Sequence, residues 1–165
     1  LVGSEMCIRD SDPSAFMHIK LDMKNKTLYV MDEFVKKGLL NNQLAQVIKD
    51  MGYSKEVITA DSAEKKSIAE MKRDGIYRIR PALKGPDSII QGIQFLQQFK
   101  WVVDDRCVKT IEELQNYTYV KDKKTDEYTN RPIDAYNHCI DAIRYAVEEE
   151  NGHGSTKATL LKSFM

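Results

Sequence analysis

The sequence predicts one α/β domain, a mixed sheet flanked by helices, and three stretches carry that expectation. Ala15, Met17, Ile19 and Leu21 alternate with Phe16, His18, Lys20 and Asp22 at the period of a strand with one buried face. Val57, Ile58, Thr59 and Ala60 form a short β-branched run that ends on Asp61 and passes straight into a helical pattern, the strand-then-helix order of an α/β sheet. Residues 130–150, NRPIDAYNHCIDAIRYAVEEE, read as one amphipathic helix with ionisable groups stacked at turn spacing. A chain of 165 residues, 42% hydrophobic and 30% charged, is long enough for one domain with a proper core.

Taken in order, residues 1–11, LVGSEMCIRDS, show neither helical nor strand period; they resemble translated sequencing-adapter read-through and are set aside from the fold. The domain is expected over residues 12–150, and residues 151–165, with GHGST and little pattern, as a flexible tail. The strand from Ala15 turns at residues 23–26 into a second strand over 27–33, a hairpin that leaves His18 on the outward face. Leu40, Leu44, Val47, Ile48 and Met51 fall at helical spacing, with Gly52 where a C-terminal cap stands. Beyond Asp61 a helix runs to Asp74 and Gly75, and residues 76–80 make a strand that Pro81 ends. Ile89, Ile90, Ile93 and Leu96 stripe the next helix, residues 101–103 form a last short strand, and residues 108–116 a short helix. Residues 121–131, KDKKTDEYTNR, read as a polar, mobile loop into the final helix, which starts near Pro132 because a proline costs nothing in a first turn.

At about 100° per residue, Ala135, Tyr136, Cys139, Ile140, Ala142, Ile143, Ala146 and Val147 share the packing face of that helix. Asp134, His138, Asp141 and Tyr145 line the other, so two carboxylates and an imidazole at i, i+4 and i+7 can converge on a metal or a water. The plainer reading stays open: Asp134 as a dipole partner, Asp141 paired with Arg144 or Tyr145, His138 simply solvated. Asp61, at the C-terminal end of a buried strand, stands where α/β sheets place chemistry, though with Glu64 it can equally cap a helix. Lys84, beside Gly85 and ahead of a helix, can meet a phosphate or stay in water. Lys121, Lys123, Lys124 and Arg131 are the most basic stretch and can touch a phosphate backbone, although the interleaved acids suit a solvated loop as well.

A formal net charge of zero means that nucleic-acid binding must rest on a local patch. Cys7, Cys107 and Cys139 are odd in number and widely spaced, which supports neither a disulfide framework nor a zinc site. No apolar run nears the roughly 18 to 20 residues of a membrane span, and no secretory signal precedes the first strand, so a cytoplasmic location and no membrane partner are expected.

ITADSAEKKSI, LKGPDSIIQGIQFL and NRPIDAYNHCIDAIRYA, in that order, resemble the nuclease domain of phage terminase large subunits, a ribonuclease H-like fold. The likeness covers Asp12 to about Glu150. It implies a metal-dependent endonuclease that cuts concatemeric viral DNA in the host cytoplasm, transiently at the procapsid portal. Asp61 matches the family's second acidic motif, Asp141 the third, and His138 the histidine one turn earlier. Those positions imply Mg2+ or Mn2+ at a two-metal site held by Asp61 and Asp141, with His138 as ligand or proton-transfer group. Implied partners are double-stranded DNA and, in the full protein, the portal, the small terminase subunit and an N-terminal ATPase domain. The Walker pattern G-x-x-x-x-G-K-S/T does not occur in the chain, so no nucleotide is expected on it. The family's first acidic position falls within Glu5 to Asp10, so the central first strand is expected to be missing or replaced and the chain as written not to cut. Two rivals are a catalytically silent ribonuclease H-like module that docks DNA or a portal, and a junction resolvase or transposase of the same superfold.

Overall fold

The computed structural model describes residues 13–63, 65–83 and 85–151, together with the backbone of residues 2–7. The strands are β1 (Val2–Cys7), β2 (Ser14–Asp22), β3 (Thr27–Lys36), β4 (Ile58–Ala60), β5 (Ile79–Pro81), β6 (Lys100–Val103), β7 (Tyr119–Lys121) and β8 (Tyr128–Pro132). The helices are α1 (Asn41–Asp50), α2 (Lys65–Arg73), α3 (Ser88–Leu96), α4 (Val108–Asn116) and α5 (His138–Ala146). Among the described residues no helix is long and apolar enough to cross a membrane. Glu64, Lys84, Asp12 and residues 152–165, which hold almost all of the expected tail, lie outside the described residues.

The strand order is β5-β4-β1-β2-β3-β6, and β7 pairs with β8 in a separate ribbon. β2 and β3 form the expected antiparallel hairpin, with a register shift after His18, while β6 joins β3 in parallel. The central first strand was expected to be missing or replaced, with residues 1–11 standing in its place. The slot is filled: β1 runs antiparallel to β2, Glu5 opposite Met17, and parallel to β4, Ser4 beside Ile58 and Met6 beside Ala60. The cause is in the backbone, since β2 and β4 each turn a row of N–H and C=O groups toward the gap, and an extended segment satisfies both rows whatever its side chains.

Both faces of the sheet are covered. Met17, Ile19 and Leu21 pack with Leu28, Phe95, Leu96 and the Cys139, Ala142 and Ile143 side of α5. Phe16 packs on the opposite face with Leu44, Ile48, Ile68 and Met71 of α1 and α2. His18 is therefore not on the surface as the alternation predicts; it is buried and stacks on Tyr53, ring centroids 4.0 Å apart. A strand with helices on both sides has no outward face to give it. Pro81, expected to end a strand, is the last residue of β5, the edge strand, where its missing N–H costs no ladder bond.

Candidate active site

α5 was expected to begin near Pro132, and it begins at His138. Residues 128–132 instead form β8, and the chain turns out of it through Tyr136, whose φ is 54°. The expected mobile loop is thus mostly a ribbon closed by a tight turn, in which Asp122 Oδ1 accepts the N–H groups of Lys124 and Thr125 at 2.7 and 3.2 Å. The helix starts where it does because of a residue that sequence reasoning missed. Glu113 of α4, itself buried, accepts the backbone N–H groups of Cys139 and Ile140 at 2.8 and 3.0 Å, while Asn137 supplies no side-chain cap. Burial pushes the Glu113 carboxyl above its usual range even though those N–H groups pull it down. Nothing in the local sequence marks a cap delivered from twenty-odd residues upstream.

The late start breaks up the expected Asp134, His138 and Asp141 row. Asp134 lies before the helix, with Asn137 Nδ2 at 3.4 Å from its Oδ1. His138 lines a cavity of about 320 Å3 with Lys36, Lys37, Lys109, Glu113 and Tyr136. Asp141 lines a different one, of about 560 Å3, with Asp87, Asn130, Asp134 and Asn137. Tyr145, expected on the polar face, is buried, as are Arg144 and most of the helix, because α5 is wedged between the sheet and the helices α3 and α4.

Asp61 follows β4 directly and is 2% exposed. Its Oδ1 accepts the Ala63 N–H at 2.9 Å, and the Tyr145 hydroxyl stands 3.5 Å from its Oδ2. Arg144, next along α5, carries its guanidinium 4.5 Å from the Tyr145 ring centroid and donates from Nε and Nη2 to Asp141 Oδ1, both at 3.2 Å. Two consecutive residues of α5 thus link the strand-end carboxylate to the helix carboxylate on one face of the sheet. Tyr117, beside Asp141 in the larger cavity, has its hydroxyl pushed up to about 12, first by burial and then by the Asp141 charge.

Asp61 and Asp141 offer hard carboxylate oxygens, the donors that suit Mg2+ or Mn2+ rather than a soft metal. Among the described residues no group of three or more His, Cys, Asp or Glu side chains is close enough to hold an ion. The expected first acidic slot, between Glu5 and Asp10, has no described side chain, but the parallel register sets the end of β1 beside the end of β4, where Asp61 follows. Of the basic residues, Lys121 pairs with Asp126 at 3.2 Å and lies over Tyr128, and Lys123, Lys124 and Arg131 are on or beside the ribbon. Cys107 and Cys139 are buried free thiols, as expected, and burial pushes the former up to about 11.

A family model described as Terminase RNAseH like domain matches residues 9–149. The terminase large subunit of Bacillus phage SPP1 is 36% identical over 146 residues, 87% of this chain and 34% of that protein. The PBSX phage terminase large subunit of Bacillus subtilis (strain 168) is 33% identical over 141 residues, 82% of this chain and 31% of that protein. The chain therefore spans about a third of the length of the curated relatives it matches. Among solved structures, the nuclease domain of the SPP1 large terminase with bound Mn superposes with a TM-score of 0.85 at 32% identity, covering 90% of this chain and 86% of that one. The P22 large terminase nuclease domain shares the fold at 13% identity, with a TM-score of 0.67 over 90% of this chain and 80% of that one. The expected ribonuclease H-like fold is borne out.

Proposed function

The chain belongs to the family of terminase ribonuclease H-like domains, and from that membership we propose that it is the nuclease domain of a phage DNA-packaging terminase, a divalent-cation-dependent endonuclease. The observation that carries the reading is the pairing of Asp61 and Asp141 through Tyr145 and Arg144 on one face of the sheet. Asp61 and Asp141 would hold Mg2+ or Mn2+, and the slot at the end of β1 is where the family resemblance puts a further carboxylate, the one restored in the variant below. Bound there, such an ion would activate a water for attack on a phosphodiester and would stabilise the charge of the leaving 3′ oxygen. Asp61 is fixed by Ala63 and Tyr145, so a strand end and a helix, both rigid, set the donors before substrate arrives. His138 lines a different cavity, with Lys109 and Glu113, a position that argues against a ligand's role for it. The basic ribbon over β7 and β8, with Lys84, would lie along the phosphates of double-stranded DNA. In a longer protein the partners are an ATPase domain, the small subunit and the portal, and the work is done in the host cytoplasm.

Plasmid cleavage with Mg2+ or Mn2+ tests the reading. A variant with residues 1–11 replaced by an apolar strand ending in Asp is expected to cut, the chain as written to cut little or not at all, and Asp61→Asn or Asp141→Asn in the cutting variant to abolish the activity. Cutting that survives either substitution overturns the assignment.

A further inference from the structure

Arg144 is the least expected residue in the helix that carries Asp141. Its side chain is 4% exposed, and a guanidinium goes underground only when paired. Both of its donors to Asp141 reach the same oxygen, Oδ1, so the carboxylate is turned as well as neutralised. Its planar head lies against the Tyr145 ring, whose hydroxyl is the neighbour of Asp61. Its aliphatic stem crosses α3 at Gly92: a Cβ at that glycine would stand 2.5 Å from Arg144 Cδ and closer still to Cγ. A glycine inside a helix costs about 1 kcal/mol relative to alanine, so its presence in α3 calls for a reason. Room for the arginine is one.

We propose that Arg144 is a positioning residue: seated on Gly92 and against Tyr145, it sets the direction in which Asp141 offers its carboxylate to a divalent cation. The proposal rests on the reading of Asp61 and Asp141 as metal-binding carboxylates. It differs from two other uses of a buried ion pair. A pair that only stabilises the fold leaves cation affinity unchanged when it is removed, and a guanidinium that only competes with the cation tightens binding when it is removed.

Mn2+ binding to the full 165-residue chain, followed by electron paramagnetic resonance of the free ion, separates these outcomes. Asp141→Asn is expected to lose binding. Arg144→Gln is expected to weaken it about tenfold, or about 1.4 kcal/mol. Gly92→Ala touches no carboxylate, yet is expected to weaken binding to a similar extent, and to add little in the Arg144→Gln background because it acts through the arginine. Arg144→Lys keeps the charge without the planar fork and is expected to fall short of full affinity. Unchanged or tighter binding by Arg144→Gln overturns the proposal, as does a Gly92→Ala effect that persists undiminished without the arginine. Should circular dichroism show that Arg144→Gln and Gly92→Ala do not fold, Arg144→Lys decides, and full Mn2+ affinity in that variant overturns the proposal. If Asp141→Asn binds Mn2+ as tightly as the unaltered chain, the reading of the site has failed and the proposal falls with it; weakening there without weakening at Arg144 sinks the arginine's role alone.

Discussion

Replacing Glu113 with alanine is expected to loosen α5 at its first turn. The carboxylate holds two backbone N–H groups at 2.8 and 3.0 Å, on Cys139 and Ile140, both of which are buried. Each buried donor left without an acceptor costs about 1 to 3 kcal/mol. Part of that is offset, because the alanine variant no longer buries a carboxylate whose ionised form desolvation disfavours. A net loss of about 1 to 4 kcal/mol follows, which for a domain of this size lowers Tm by roughly 2 to 16 °C. Glu113→Gln keeps an oxygen for the same donors and is expected to lose less than half as much. The pH dependence has a definite sign. Since the folded carboxyl sits above its ordinary value of 4.5, its contribution is full below that value and is lost as pH rises through the folded pKa, a slope that the glutamine variant lacks. Urea denaturation followed by far-UV circular dichroism measures both effects. An alanine variant within about 1 kcal/mol of the unaltered chain, or equal to the glutamine variant, refutes the capping role.

His18 gives a second pH test. Burial lowers its pKa below 6.5, against the opposing charges of Glu56 and Asp32, so the neutral ring contributes stability above pH 6.5 that is lost as pH falls through the folded value. His18→Phe, which keeps a ring against Tyr53, is expected to flatten that acid-side loss in the same urea titrations; an unchanged slope argues against it. On the ribbon, neutralising Lys121, Lys123, Lys124 and Arg131 together is expected to weaken DNA binding about equally for unrelated sequences. The same change is expected to reduce the salt slope by up to roughly 0.9 for each phosphate that no longer meets a cation. A weakening confined to particular sequences, in filter binding at graded salt, contradicts phosphate tracking.

Much of this architecture is legible because burial writes a period into the chain. Leu44 and Ile48 mark α1, Gly52 at φ 86° closes it, and α4 falls on residues 108–116 as its pattern predicts. Asp61 is legible for a related reason, as a carboxylate that interrupts an apolar run where a strand must end. The illegible parts are tertiary. Pro132 and Asp134 satisfy the local rules for a helix start equally well at a strand end and in a turn, and the choice falls to Glu113, which only the fold brings near. Tyr119, Val120, Tyr128 and Thr129 are strand formers, but their charged neighbours mask a two-stranded ribbon with no deep core of its own. His18 shows the same limit in the other direction: alternation identifies a strand without counting how many layers cover it. Residues 2–7 carry no apolar period, and their place in the sheet is set by the two strands that flank the gap.

The central claim, that Asp61 and Asp141 serve one divalent-cation site, is tested most directly by soaking crystals of the chain in Mn2+ and locating the ion by anomalous diffraction. The account predicts a peak bonded to carboxylate oxygens of both residues, on the α5 face of the sheet. A peak in the cavity of His138 and Glu113 instead, or one that contacts Asp141 and no oxygen of Asp61, contradicts it.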